Sequence, residues 1–312
     1  MKHSTNINNY MKTRMPGVQR LAHEARMWFY RMIGRVSPKT LVNIWYNNIY
    51  GRNIDLKQPK TIGEKVNWLK FHGDIKLWAR CADKYEVREY VREAGLEHTL
   101  NHLYGVYDNA DDIDFDSLPR QFVIKTTNGG GGNEVMIVTD RDTIDRKAAR
   151  TTLNKWLRKK VGELYYEPQY KLMKPRLIVE KYLEPDAGEY SLVDIKVNCF
   201  NGKAYSILLC SDRQLGKGLS RSVYDLNWNI QPEKITDSHK TDKSYPRPAS
   251  LDRIIEYSER LSQGIPYVRV DWYEIGSEPI FSEMTFTPAG GYPKNYSPEY
   301  LLELGNQLEL PL

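Results

Sequence analysis

Phe122-Val-Ile-Lys125-Thr-Thr-Asn128-Gly-Gly-Gly-Gly132-Asn133 is followed closely by Val135-Met-Ile-Val138, so two short apolar runs flank four consecutive glycines. Each run has the length and composition of a strand. Glycines leave backbone N–H groups free to line a concave anion site, and four in a row exceed what a turn requires. No Gly-Lys-Ser/Thr follows, which excludes a Walker loop, and the next element reads as a strand, which excludes a dinucleotide fingerprint. What remains is a glycine flap between two strands. Lys125, near the end of the incoming strand, could reach a phosphate as a point charge, with Asn128, Gly129, Gly130, Gly131 and Gly132 closing over it.

Outward from this loop the texture differs on the two sides. Upstream, Leu21, Ala25, Trp28, Phe29 and Met32 recur at helical spacing, as do Leu41, Ile44, Trp45 and Ile49. Thr61-x-x-Glu64 is a capping box, and a further helix is predicted over 83–94 with Asp83 as its cap. Downstream, strands are predicted over 103–107, 122–126, 135–138, 177–183, 191–200, 204–211, 268–275 and 279–287, with helices over 145–161 and 251–262. Hairpin connections dominate, so the fold class is α+β with largely antiparallel sheets. The chain divides into a helical region over 1–100, a unit with the glycine loop over 101–185 and a unit with an acidic hairpin over 186–312.

The 312 residues are 40% hydrophobic and 27% charged, values of a folded globular chain. Cys81, Cys199 and Cys210 have neither disulfide-framework nor zinc-ligand spacing, which points to a reducing cytoplasm. Apolar runs are strand-sized and the first ten residues lack a signal-peptide core, so the expected location is cytoplasmic. Net charge is +5, with Lys12, Arg14, Arg20, Arg26, Arg31 and Arg35 set against Glu24 alone. Two readings stand: helices making peripheral contact with a membrane's inner face or a polymeric anion, or a solvated helix face. Over the whole chain 45 bases and 40 acids are interspersed without a basic stripe, which argues against a nucleic-acid partner.

A second pattern lies near the C-terminus. Residues two apart on a strand share a face, so Arg269 pairs with Asp271, and Glu283 with Thr285 and Thr287. A turn near Ser277 would set Asp271 opposite Glu283 and Arg269 opposite Thr285. Facing acids need open solvent or a cation, and two carboxylates plus substrate phosphates are a common magnesium set. Phe281, Phe286 and Pro288-Ala-Gly-Gly291 are expected to line a cleft beside them.

Taken in order, these features resemble the ATP-grasp superfamily, in particular the branch similar to the teichuronopeptide biosynthesis protein TupA. The resemblance runs through Pro59-Lys-Thr-x-x-Glu-Lys-x-x-Trp-Leu-Lys70, Asp83-Lys-Tyr-x-Val-Arg88, Phe122-Val-Ile-Lys125 with its glycines, and Phe200-Asn-Gly-Lys203. It continues through Tyr224-Asp-Leu-Asn-Trp228, Val268-Arg-Val-Asp271 and Glu283-Met-Thr-Phe286. It implies two α+β subdomains clamping ATP, after a mostly helical N-terminal region. Adenine would lie near Ile178-Val-Glu180-Lys-Tyr-Leu183, with Glu180 on the base or sugar. Lys125 and the glycine loop would hold phosphates, Lys196 could add a positive group unless it is a surface strand lysine, and Arg269 would contact the transferred phosphoryl group. Asp271 and Glu283 would carry magnesium, with Thr285 where many relatives have Asn.

The implied activity is a carboxylate–amine ligase working through an acyl phosphate. Its carboxylate would come from a small molecule or surface polysaccharide, gripped by Asp212, Arg213 and Arg221, and its amine from a separate donor. The alternative is a glycosyltransferase of polysaccharide synthesis.

Overall fold

The structure, a computed structural model, describes residues 17–132, 134–185, 191–214, 218–236, 239–241 and 243–311. The first two helices are α1 (Gly17–Val36) and α2 (Pro38–Tyr50), separated at Ser37 because Pro38 is suited to the first helical position. Gly51, at φ 71°, ends α2 in the left-handed region. The capping box opens α3 (Ile62–His72): Thr61 Oγ1 accepts from the Glu64 N–H, and Glu64 Oε2 accepts from the Thr61 N–H at 3.0 Å. A helix the sequence reading omitted, α4 (Ile75–Ala82), starts from an Asp74 cap. The Asp83 carboxylate then accepts from the Tyr85 and Glu86 N–H groups, closing a turn before α5 (Val87–Glu93), which is shorter than predicted.

Two antiparallel sheets follow. The first holds β1 (Leu103–Tyr107), β2 (Phe122–Thr126), β3 (Val135–Val138) and β4 (Leu177–Lys181) in the order β1-β4-β2-β3. Phe122, Ile124, Val138, Leu177 and Val179 bury one face in a core shared with Ala149 and Leu153 of α6 (Arg146–Leu157). The opposite face carries Val123, Lys125, Ile178 and Glu180, since Val123 pairs with Glu180 and Lys125 with Ile178.

The second sheet holds β5 (Asp194–Phe200), β6 (Lys203–Gln214), β7 (Gly218–Tyr224), β8 (Tyr267–Ile275) and β9 (Glu278–Thr285) in the order β7-β6-β5-β8-β9. Ile195, Val197, Val270 and Trp272 point to the back, where α7 (Leu251–Leu261) packs and Trp272 Nε1 donates to Ser258 Oγ at 2.8 Å. The same apolar core takes in Val66 and Leu69 of α3, Trp78 of α4, Val87 and Val91 of α5, and Leu301 and Leu304 of α8 (Pro298–Gln307). The polar face of this sheet is thereby left to the cleft.

The acidic hairpin turns on Gly276 and Ser277 alone, both at positive φ (56° and 67°), the arrangement of a two-residue turn whose twist matches its strands. Ile275 therefore pairs with Glu278. A bulge at Ser282 adds one residue to β9, so Trp272 pairs with Phe281 while Asp271 pairs with Glu283. Phe281 and Phe286 do not line the cleft as expected. Phe281 packs edge-on against Trp272 and Phe286 stacks on Trp78 at 5.1 Å, both in the apolar core, Phe286 because it alternates with Thr285 and Phe281 because the Ser282 bulge sets it opposite Trp272.

Candidate active site

Cross-strand register brings the acids and cations of the second sheet together. Lys196 of β5 lies opposite Asp271 of β8, Asp271 opposite Glu283 of β9, and Arg269 opposite Thr285. Asp271 is 0% exposed, and Arg269 grips both its oxygens, Nε to Oδ1 at 2.7 Å and Nη2 to Oδ2 at 2.8 Å. Lys196 Nζ donates to Oδ2 at 2.5 Å and lies 3.2 Å from Asp194 Oδ1, so it is buried in the site and not on the surface. Arg269 Nη2 also donates to Thr285 Oγ1 at 3.3 Å, and that hydroxyl donates to Glu283 Oε1 at 3.3 Å.

The remaining oxygen of Glu283 is 3.3 Å from Lys84 Nζ. Burial raises the Glu283 carboxyl, but Lys84, Lys196 and Arg269 outweigh it and hold the group well below the usual carboxylate range. The sign for stability follows. A depressed folded value contributes stability above the unfolded value, roughly pH 4.3, which is lost as pH falls through the folded value. Glu283→Gln should therefore lose less urea resistance than the wild type on acidification, measured as unfolding midpoint against pH.

On the first sheet Lys125 Nζ donates to Glu180 Oε2 at 3.0 Å, and Arg88 Nη1 holds Oε1 at 3.2 Å. Arg88 is itself anchored by donating to the Asn101 carbonyl at 2.7 Å. Burial pulls the Lys125 ammonium down, but Glu180, Tyr273 and Glu283 together leave it above its ordinary value. Two of those partners belong to the second sheet, so the faces bearing Lys125 and Glu283 look toward each other.

The glycine loop hangs between them. Asn128 is buried, Gly131 and Gly132 have φ of 67° and 76°, and Asn133 is outside the described residues. Lys84 Nζ donates to the Gly129 carbonyl at 2.6 Å, so one ammonium ties the loop to Glu283. A Cβ on Gly129 would fall 2.4 Å from Thr126 Oγ1 and 3.0 Å from Glu134 Cβ, whereas one on Gly130 would meet nothing within 4 Å. Gly129→Ala should cost about 1–3 kcal/mol by overpacking, and Gly130→Ala should leave unfolding in urea unchanged. Equal losses in the two variants would contradict this loop geometry.

Lys84, Arg88, Asp194 and Tyr170 are site residues that the sequence reading did not assign. Burial, with Glu167 and Glu283 adding to it, pushes the Tyr170 hydroxyl far up, so it stays protonated. Lys84 and Arg88 fall inside the quoted Asp83-Lys-Tyr-x-Val-Arg88 motif, which was the one available signal. Of the acceptor candidates, Arg221 of β7 pairs with Cys210, which pairs with Asp194, placing Arg221 on the Lys196 face. Asp212, at φ 51°, accepts from Ser211 Oγ at 3.2 Å and Tyr245 Oη at 3.4 Å. The Arg213 side chain lies outside the described residues.

The donors facing the cleft are hard oxygens: two carboxylates in register and the Thr285 hydroxyl. Among the described residues no cluster of three His, Cys, Asp or Glu could cage an ion by itself. This set fits magnesium, which is usually held by one or two carboxylates together with phosphate oxygens and water.

A search of curated proteins gave no match. Among solved structures the chain is similar to a D-alanine–D-alanine ligase from Bacillus anthracis, at 19% identity and TM-score 0.45, covering 78% of this chain and 74% of that one. It is similar to the Helicobacter pylori D-alanine–D-alanine ligase at 16% identity and TM-score 0.42, with 80% and 67% covered. A RimK domain ATP-grasp protein from Sphaerobacter thermophilus is similar at 12% identity and TM-score 0.40, with 75% and 69% covered. The family model for TupA-like ATP-grasp proteins matches residues 64–309, from the Glu64 of the capping box to beyond α8 and across every strand described above. The chain belongs to the TupA-like ATP-grasp family and is an ATP-grasp enzyme.

Proposed function

We propose that this protein is an ATP-dependent carboxylate–amine ligase that serves surface polysaccharide synthesis or modification from the cytoplasmic side of a membrane. The observation that carries the reading is the Lys84 bridge, which sets a glycine loop against two facing carboxylates. In this reading ATP lies between the sheets. Val123 and Ile178 flank the base, Glu180 contacts the base or sugar, and Lys125 with Asn128 and Gly129 to Gly132 holds the phosphates.

Asp271 and Glu283, with Thr285 beside them, would hold magnesium, which supplies charge neutralisation at the β- and γ-phosphate oxygens. Lys196, now on Asp271 Oδ2, would turn to a phosphate oxygen when nucleotide is bound. Arg269 is fixed by its bidentate grip and presents a guanidinium to the transferred phosphoryl group. The substrate carboxylate attacks the γ-phosphorus and ADP leaves. An amine then adds to the acyl phosphate carbonyl, loses a proton and expels inorganic phosphate, which forms the amide. Positioning and fixed charge carry this chemistry, so no protein nucleophile is needed. Arg221, with Asp212 and Arg213, is proposed to receive the anionic acceptor.

The test is ADP release across a panel of uronic acids and amino acids, with amide product identified by mass. Thermal stabilisation by a UDP-sugar with manganese, and none by ATP with magnesium, would replace the ligase reading with glycosyl transfer. Lys84→Met should raise KM for ATP about tenfold or more, the worth of a hydrogen bond from a charged group. An unchanged KM would remove Lys84 from the site.

A further inference from the structure

Helix α1 carries an apolar stripe that nothing in the described residues covers. Leu21 is 68% exposed, Trp28 61%, Phe29 56%, Met32 36% and Val36 82%. At the 3.6-residue helical period these positions fall within one sector of about 100°. The opposite side of α1 packs on α2: Tyr30 meets Trp45 with ring centroids 5.2 Å apart, and a Cβ on Gly34 would lie 2.7 Å from Leu41 Cδ2. The stripe is therefore not a core face left over from local packing.

Its flanks are basic. Arg26 borders one side, and Arg31 and Arg35 the other, where they reach Glu163 at 3.6 and 3.3 Å while about half of each side chain stays exposed. Residues 1–36 contain seven Lys or Arg and one acid, Glu24. No described helix is long and apolar enough to cross a membrane. A convex rod with an apolar ridge and arginines on both shoulders matches the profile of a helix lying in a headgroup layer. A protein partner would instead call for a complementary surface of about 800 Å² per side, and a single ridge offers no groove for it.

We infer that α1 docks the enzyme on an anionic lipid surface, with Trp28 and Phe29 inserted among the acyl chain tops and Arg26, Arg31 and Arg35 on lipid phosphates. The inference deepens the membrane-side location in the proposed function, but its test needs no ATP, so failure here and failure of the ligase reading are distinguishable. The full-length protein is co-sedimented with phosphatidylcholine vesicles with and without phosphatidylglycerol. Binding should require the anionic lipid and weaken with salt. Trp28→Ser with Phe29→Ser should lower partitioning about a hundredfold, roughly tenfold per ring, and Arg26→Gln about fivefold. ADP release in solution should be unchanged in both variants. The inference fails if the double variant sediments with vesicles like the wild type, or if the wild type ignores phosphatidylglycerol. It also fails if sedimentation velocity shows a dimer that the double variant dissolves, since the stripe would then be a subunit contact.

Discussion

Asp271→Asn should release ADP about two to three orders of magnitude more slowly than the wild type, the usual cost of removing one preorganised electrostatic contact at a reacting centre. The amide keeps the shape of the carboxylate but loses its charge and turns one of the two accepting oxygens into a donor. That charge now neutralises Arg269 and Lys196 in a site where Asp271 has no solvent contact. Left with Asp194 alone for Lys196 and with Glu283 at 3.8 Å for Arg269, the two cations should also cost about 3 kcal/mol of folding stability. Combining Asp271→Asn with Lys196→Met separates the two effects: urea resistance should recover in part while turnover stays low. Full ADP release by Asp271→Asn would show that the hairpin acids are structural.

Lys70→Met should be the most destabilising single change outside the cleft, by about 3–5 kcal/mol, read as a drop in the urea midpoint. Lys70 Nζ is fully enclosed, donates to the Tyr165 carbonyl at 2.8 Å and the Gly290 carbonyl at 2.6 Å, and sits 4.9 Å over the Tyr292 ring. Burial pushes its ammonium down to about 7, with the Glu167 charge opposing, and burial pushes the Glu167 carboxyl up. Met keeps the volume but leaves both carbonyls without their donor and removes the charge that opposes the burial of Glu167. Because Glu167 accepts from Thr287 Oγ1 at 2.7 Å, just beyond β9, the loss should loosen the Glu283 and Thr285 strand as well. A midpoint within error of the wild type would show that the enclosed lysine is dispensable.

The strands around the glycine loop were legible because runs of β-branched, aromatic and other apolar residues stand between turn-forming clusters, Asp108-Asn109, Asn128 to Asn133 and Asp140: 103–107, 122–126 and 135–138 are observed as read. Strand β7 was not read, since in Gly-Leu-Ser-Arg-Ser-Val-Tyr three polar residues separate Leu219 from Val223 and break the apolar alternation that marks a strand. Asp74 before α4, and Ser297 with Pro298 at α8, are ordinary start signals that the reading passed over. In the site, alternation revealed which residues of one strand point together. It could not reveal Lys84, whose partners Gly129 and Glu283 belong to distant segments, or that Lys125 is shared between the sheets through Glu180 and Glu283. Period-two patterns report a face and leave open what stands across from it.

The facing of Asp271 and Glu283 was read from a turn centred on Ser277, yet the turn is one residue tighter and the extra residue at Ser282 makes up the count. Hairpin arithmetic thus acts as a reading frame. If the ladder ran without its irregularity, Ser282 would stand opposite Asp271, and Glu283 would rotate to the side where Met284 now lies. Deleting Ser282 would restore a regular ladder with both acids still opposed, whereas inserting a residue between Phe281 and Glu283 would leave the same amino acids unable to meet.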